Sequence, residues 1–243
     1  MLNIDCNFPL DISIPLRDGL GNVNAFYAPP LLIEPVRSGD FVGDVLLGGA
    51  VNFKNVRLNP HGNGTHTECV GHISRDSYTL NQCLRRFWFR ATLISVYPKR
   101  MENGDRIIVA EQISELLEGR CPEALVIRTL PNDDYKQTMS YSGSNPPYLH
   151  HEAARFIAGL GIEHLLIDLP SIDREEDGGG LLAHRHFWRY PHNTRVGATI
   201  SELIYVPNYI KDGDYWLNLM ITALELDASP SKPILYSILN YFF

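Results

Sequence analysis

The chain has few cysteines, and they are not grouped. Its 243 residues contain four, Cys6, Cys69, Cys83 and Cys121, and none of them forms a Cys-x-x-Cys pair. Small secreted proteins held together by disulfides use many more cysteines than this. We therefore expect free thiols in a reducing compartment. The first residues also lack the basic and apolar pattern of a signal peptide, so the expected location is the cytoplasm.

Long apolar runs and basic stripes are absent as well. No run approaches the roughly 20 apolar residues that a membrane span needs. The net charge is −7, from 21 basic and 28 acidic side chains, without the basic stripe that is typical of nucleic-acid binders. We therefore expect neither a membrane segment nor a nucleic-acid partner. With 44% hydrophobic residues the composition is that of an ordinary globular protein.

No internal repeat and no long linker divides the chain, so we predict one domain over residues 1–243. Short apolar runs rich in β-branched residues predict strands, and segments with one apolar helical face predict helices. The predicted strands span residues 91–97, 124–130 and 164–169, with further strands at 11–16, 44–58 and 215–226; the predicted helices span 110–119 and 151–161. The alternation of helix and strand predicts a mixed α/β (α+β) fold whose central strands are covered on both faces.

Histidines are concentrated in one short segment. Residues 61–72 read HGNGTHTECVGH and hold three of the nine histidines in the chain. Glycines break the helical pattern before His66, so the His-x-Glu step is predicted to be extended. Residues i and i+2 of a strand share a face, which places His66 and Glu68 at one point in space. His61 joins them if the glycine-rich turn folds back.

Imidazole and carboxylate together indicate a catalytic metal site. They are common ligands of Zn²⁺ and Mn²⁺, and a metal with an open position lowers the pKa of a bound water to about 7 and supplies a hydroxide. His72 lies four residues beyond Glu68, and an even interval keeps two residues on the same face of an extended segment. It is a candidate general acid/base, since a free imidazole titrates near pH 6.5. Backbone N–H groups of the glycine-rich turn are candidate donors to an oxyanion. Cys69, one residue beyond Glu68, is predicted to face away and fill the core.

The segment resembles the signature of the cyclase family of metal-dependent hydrolases, to which bacterial kynurenine formamidase and isatin hydrolase belong. That signature has a histidine, then Gly-Thr-His, one residue, an aspartate, and a histidine four residues beyond the aspartate. Residues 64–66, Glu68 and His72 match in place. Weaker matches follow in the same order along nearly the whole chain: segments 11–16 and 167–173, His184, and Glu202 before Gly213-Asp214-Tyr215.

The resemblance implies a role for each matched residue. His66 and Glu68 would be metal ligands, with Glu68 standing where the family has aspartate, and His72 would donate and accept the proton. His184 and Glu202 would hold or complete a second metal position. One or two Zn²⁺ or Mn²⁺ ions per chain, a swivelling β/α/β fold and assembly into homodimers or homotetramers are implied in the same way.

Two positions depart from the family pattern. The first ligand histidine of the family lies four residues before the second, where this chain has Gly62, whereas His61 lies five residues before His66. Either the turn carries one extra residue and His61 still binds metal, or that ligand is lost. Further along the chain, His186 competes with His184 for the same role.

The predicted function is hydrolysis of a C–N bond in a small formamide or cyclic amide, as in kynurenine formamidase or isatin hydrolase. The first of these likenesses implies a place in tryptophan catabolism. Three alternatives remain: a lactone or ester hydrolase at the same site, a non-catalytic protein that binds a small molecule on the same scaffold, and a purely structural metal site. An apolar, aromatic tail over residues 236–243 also favours a partner subunit or a docked terminus.

Overall fold

A sheet that closes on itself forms the centre of the protein. The computed structural model describes residues 4–239, so residues 240–243 of the aromatic tail lie outside the described part. The strands are β1 (Leu10–Asp11), β2 (Leu32–Pro35), β3 (Arg37–Ser38), β4 (Phe41–Val42), β5 (Lys54–Arg57), β6 (His66–Glu68), β7 (Trp88–Val96), β8 (Lys99–Arg100), β9 (Arg106–Ile108), β10 (Ala124–Thr129), β11 (Tyr148–Leu149), β12 (His164–Ile167), β13 (Thr199–Glu202), β14 (Gly213–Ile221) and β15 (Ala228–Ser237).

The helices are few and short. They are α1 (Leu80–Cys83), α2 (Ala110–Leu117), α3 (His151–Gly159) and α4 (Leu182–Trp188), with 3₁₀ turns at Val45–Leu47, Val70–His72 and Asp134–Gln137. Both predicted helices are present, and each ends slightly earlier than predicted. Within residues 4–239 no helix is long and apolar enough to cross a membrane.

One half of the closed sheet is parallel. Strands β7, β10, β12 and β13 lie side by side and run in the same direction. Helices α2, α3 and α4 follow β7, β10 and β12 in turn, which is the crossover that parallel strands require. These helices cover the outer face, and a second apolar cluster fills the inner face. Burial on both faces explains why the strand sequences are continuously apolar.

The other half is antiparallel and closes the barrel. Strand β14 pairs with β7, β15 with β14, and β6 with both β15 and β13. Seven strands therefore form a barrel-like ring, and β1 adds to β15 at its edge. The mixed α/β fold that was predicted is confirmed. The remaining strands form small separate pairings, β2 with β5, β3 with β4, and β8–β9–β11.

Several predicted strands are wrong in extent. In segment 44–58 only β5 is a strand, and residues 45–47 form a 3₁₀ turn. In segment 11–16 the strand is limited to β1, because the chain leaves the edge of the sheet after residue 11. Strand β15 and helix α4 were not predicted. Prolines interrupt the strand pattern of β15. In α4, a mixture of aromatic and basic residues obscures the apolar face.

Candidate functional site

Two short strands supply the centre of the site. In the antiparallel pairing of β6 with β13, His66 lies opposite Glu202. Both side chains are almost fully buried, as is that of Glu68 at the other end of β6. His66 Nε2 lies 3.4 Å from Glu202 Oε2. The pairing thus places His66 and Glu202 at the carboxyl end of β13, with Glu68 two residues further along β6.

The turn before β6 brings His61 back to this centre. Asn59 accepts hydrogen bonds from the backbone N–H groups of Gly62 and Asn63, which closes the turn. A side chain at position 62 would meet the Ala28 Cβ at 2.4 Å, so glycine is required by close packing. His61 Nδ1 lies 3.1 Å from Glu68 Oε2. The hydrogen bonds to Asn59 occupy the N–H groups of Gly62 and Asn63, so these two are not free to hold an oxyanion.

His72 lies on the solvent side of the cluster. It ends the 3₁₀ turn that follows β6, and its ring centroid is 4.4 Å from that of His61. Its Nδ1 lies 3.6 Å from Glu68 Oε2 and 3.4 Å from Asp227 Oδ2. The His72 side chain is 29% exposed, whereas His66 is fully buried. His72 and His61 are therefore the histidines through which the cluster faces solvent.

His184 enters from helix α4 on the opposite side. Its Nδ1 donates a 2.6 Å hydrogen bond to Asp173 Oδ2, and its Nε2 lies 3.0 Å from Glu68 Oε1 and 3.8 Å from Glu202 Oε1. Asp173 also accepts hydrogen bonds from the backbone N–H groups of Ala183 and His184. It therefore fixes the start of α4 as well as the imidazole of His184. Of the two histidines that competed for this position, the structure brings His184 into the cluster.

All six residues predicted for the site lie in one cluster, together with two that were not predicted. The six are His61, His66, Glu68, His72, His184 and Glu202. The additional pair is Asp173 and Asp227. Asp173 ends the segment that resembles a family strand, so sequence position could have suggested it. Asp227 lies just before β15, far from every motif, and nothing in the sequence distinguishes it.

Three imidazoles of the cluster share one arrangement. Each donates one ring N–H outward: His66 Nδ1 to the Gly64 carbonyl at 3.0 Å, His184 Nδ1 to Asp173, and His61 Nε2 to Asp227 at 3.0 Å. A ring that donates through one nitrogen presents the lone pair of the other when it is neutral. The second nitrogens all point inward, toward Glu68 or Glu202.

These inward atoms fit a divalent cation. His66 Nε2 and Glu68 Oε2 are buried and accept no hydrogen bond from the described part of the chain. A lone pair that faces a carboxylate is repelled unless a proton or a cation lies between them. The ligand atoms of His61, His66 and Glu68 lie within 4.8 Å of one another, and so do those of Glu68, His72 and His184. The donor set of imidazole nitrogen and carboxylate oxygen suits Zn²⁺ or Mn²⁺.

The electrostatics of the cluster also favour positive charge. Burial alone would lower the pKa of His61, but its contacts with Asp227 and Glu68 outweigh burial and raise this pKa to about 10. Against the same burial effect, Asp173 and Glu68 raise the pKa of His184 to about 10. Burial would raise the pKa of Glu68, yet His72, His184 and His61 hold it well below its ordinary value. The carboxylates therefore attract a cation strongly.

The remaining histidines lie elsewhere. His186 stacks against His151, with ring centroids 5.4 Å apart, and is not part of the cluster. His150 caps the start of α3, and its Nδ1 accepts the N–H of Glu152. His164 is buried at the start of β12, where its Nδ1 pairs with the Thr199 hydroxyl at 2.9 Å. Cys69 is fully buried in the inner core, as predicted.

Comparison with known proteins identifies similar sequences. A family profile described as "Putative cyclase" matches residues 10–174. A kynurenine formamidase of Bacillus cytotoxicus is 29% identical over 189 residues, which cover 77% of this chain and 81% of the relative. A kynurenine formamidase of Bacillus cereus is 28% identical over 192 residues, which cover 78% and 82% of the two chains.

Solved structures show the same fold at lower identity. Isatin hydrolase A from Labrenzia aggregata, bound to benzyl benzoate, superposes with a TM-score of 0.70 at 13% identity, covering 96% of this chain and 94% of that one. A structure described as a potential metal-dependent hydrolase with cyclase activity gives a TM-score of 0.67 at 16% identity, covering 94% and 97% of the two chains.

Proposed function

The chain belongs to the cyclase family, and from this premise we propose that it is a metal-dependent hydrolase of a C–N bond in a small formamide or cyclic amide. The observation that carries the proposal is the set of three inward imidazole nitrogens around two buried carboxylates. The relatives named as kynurenine formamidases and isatin hydrolases suggest an aromatic formamide or a cyclic amide as the substrate. Of these, the formamide of kynurenine would place the enzyme in tryptophan catabolism.

Five residues would hold one or two ions of Zn²⁺ or Mn²⁺. They are His61, His66, Glu68, His184 and Glu202. The two oxygens of Glu68 face different imidazoles, Oε2 toward His61 and Oε1 toward His184, so with two ions this carboxylate would contribute to both sites. When bound, the cation would polarise the substrate carbonyl and lower the pKa of a water molecule to about 7.

His72 would move the proton. Its Nδ1 faces Glu68 and Asp227, while the ring lies at the solvent side of the cluster, where a substrate arrives. From this position it can take a proton from the attacking water and give it to the leaving nitrogen. Asp173 keeps Nδ1 of His184 protonated and its Nε2 turned inward. Such outer hydrogen bonds typically change metal affinity or activity by about 10–100-fold.

We also propose a cytoplasmic location and assembly into a homo-oligomer. The four cysteines are free thiols, which agrees with a reducing cytoplasm. The family resemblance supports a homodimer or a homotetramer.

Hydrolysis assays test the proposal directly. Purified protein is loaded with Mn²⁺ or Zn²⁺ and given an aryl formamide, isatin, and an aryl lactone of similar size, with Glu68→Gln as the matched variant. We expect the wild type to hydrolyse the formamide or isatin. A chelator should abolish this activity, added metal should restore it, and Glu68→Gln should lack it.

Other results would favour the alternatives. Faster turnover of the lactone would indicate an ester hydrolase. Binding of the compounds without turnover at full metal loading would indicate a non-catalytic protein. Unfolding on chelation, in place of reversible loss of activity, would indicate a structural metal.

A further inference from the structure

Asp227 connects the two partly exposed histidines of the cluster. Its Oδ2 lies 3.0 Å from His61 Nε2 and 3.4 Å from His72 Nδ1. The backbone carbonyl of Asp227 accepts the N–H of Cys69 at 2.9 Å, which ties the segment before β15 to the end of β6. Asp227 is therefore held by the same backbone that carries Glu68, and its side chain reaches over the 3₁₀ turn to both imidazoles.

His61 differs from the other inward imidazoles in the nitrogen that it presents. His66 and His184 each donate through Nδ1 and point Nε2 inward. His61 donates through Nε2 to Asp227 and points Nδ1 toward Glu68 Oε2, 3.1 Å away. Nδ1 lies closer to the backbone than Nε2, so a histidine that presents Nδ1 must have its backbone nearer to the ligand.

The reversal coincides with an altered spacing of the motif. His61 lies five residues before His66, and position 68 is a glutamate, whereas the family signature that the segment resembles has a four-residue interval and an aspartate. Presentation of Nδ1 then requires an acceptor for the N–H on Nε2, and Asp227 is the acceptor in that direction.

We propose that Asp227 is a positioning residue that turns Nδ1 of His61 toward the metal. It thereby accommodates the five-residue interval between His61 and His66, and its Oδ2 also orients His72. This inference rests on the metal site of the proposed function and does not depend on the identity of the substrate. Asp227 accepts the outer ring N–H of His61, as Asp173 accepts that of His184.

The ligating nitrogen can be tested by side-chain replacement. The amide of asparagine occupies the place of histidine Nδ1, and the amide of glutamine occupies the place of Nε2. We expect His61→Asn to bind Co²⁺ more tightly than His61→Gln, and the reverse order at the other side of the cluster, with His184→Gln binding more tightly than His184→Asn. The same order at both positions would overturn the assignment.

The role of Asp227 is tested with Asp227→Asn, which preserves shape and removes the charge. We expect its Co²⁺ dissociation constant to rise about 10–100-fold, the usual effect of losing an outer hydrogen-bond partner, with a changed visible absorption spectrum of bound Co²⁺. Glu225→Gln is the matched control. Glu225 lies two residues from Asp227 and accepts hydrogen bonds from Thr79 and Asn81, and this variant should bind Co²⁺ as the wild type does.

The outcomes separate this inference from the proposed function. If the wild type binds Co²⁺ and Asp227→Asn has the same affinity and the same spectrum, the positioning role is overturned while the metal site stands. If the wild type binds no Co²⁺, the metal site falls and the inference falls with it. Circular dichroism of Asp227→Asn distinguishes a lost contact from a lost fold, and Asp227→Glu, which keeps the charge, should recover part of the affinity if the variant folds.

Discussion

At the scale of single residues, the partner of the outer ring nitrogen decides what each histidine can do. Gly64, Asp173 and Asp227 accept the outer N–H of His66, His184 and His61, so each inner nitrogen carries a lone pair when the ring is neutral. Residue type and motif spacing identify candidates for a metal site. The hydrogen-bond acceptor on the far side of each ring determines which nitrogen faces the centre.

His72 is expected to act in proton transfer and to contribute little to binding the metal. His72→Ala should keep the fold and the metal content and lose about 10²–10⁴-fold in kcat, the usual contribution of a general acid/base. Steady-state kinetics with metal analysis of the same sample measure both quantities. His186→Ala removes an imidazole that stacks on His151, outside the cluster, and serves as the control. A near-normal kcat in His72→Ala would remove this residue from the mechanism.

At the scale of elements, very short pieces of structure carry the site. Strand β6 has three residues, and the 3₁₀ turn that follows it has three more. Neither is stable alone, so their geometry comes from pairing with β13 and β15 and from packing of the turn. The backbone of Gly71 within this turn comes close to the carbonyl oxygen of Tyr78.

Gly71 should therefore tolerate no side chain. A Cβ at this position would lie 2.1 Å from the Tyr78 carbonyl oxygen, so the turn that carries His72 must shift. We expect Gly71→Ala to lower the free energy of unfolding by about 1–3 kcal/mol, as overpacking commonly does, and to lower kcat as well. Urea unfolding and kinetics measure the two effects.

A second glycine provides the comparison. A Cβ at Gly159, the last residue of α3, meets nothing within 4 Å. Gly159→Ala should leave activity unchanged and stabilise the protein slightly, by up to about 1 kcal/mol. Equal behaviour of the two alanine variants would show that the turn around Gly71 adapts freely.

At the scale of the whole molecule, the barrel buries titratable groups away from the site. His164 begins β12 and packs against the Phe89 ring, with centroids 3.9 Å apart. Burial, followed by the charges of Arg86 and Arg195, lowers its pKa to about 3, although a carboxylate oxygen of Glu163 lies 3.9 Å from its Nε2. The structure places this histidine in the interior.

This burial predicts a loss of stability in acid. Above about pH 6.5 His164 is neutral in both the folded and the unfolded chain. Between about pH 6.5 and 3 only the unfolded chain binds the proton, so the free energy of unfolding falls by up to about 1.4 kcal/mol per pH unit. At pH 5 this contribution has fallen by about 2 kcal/mol.

A variant without the imidazole isolates this effect from other titrating groups. His164→Asn keeps a hydrogen-bonding group near Thr199 and does not titrate. Urea unfolding of both proteins at pH 7 and pH 5, with a chelator throughout, should show a fall in stability that is about 2 kcal/mol smaller for the variant. The same fall in both proteins would mean that His164 is protonated in the folded state.

The sequence by itself determined the central strands, helices α2 and α3, and most of the metal-binding candidates. Apolar runs and helical periodicity are local patterns, and the His-x-Glu step places two side chains on one face by strand geometry alone. His184 and Glu202 were reached only through the family resemblance. Strand β15 and helix α4 were missed because their patterns are interrupted, and their positions depend on contacts with distant segments.

Only the tertiary structure decided how His61 takes part and which carboxylates support the site. Whether His61 turns toward Glu68 depends on the close packing of Gly62 against Ala28, a contact between segments far apart in the sequence. Asp227 lies 166 residues from His61 and becomes its partner because closure of the barrel brings the start of β15 beside β6. A sequence pattern records local periodicity, whereas the tautomer of a buried imidazole depends on whichever acceptor the fold places behind it.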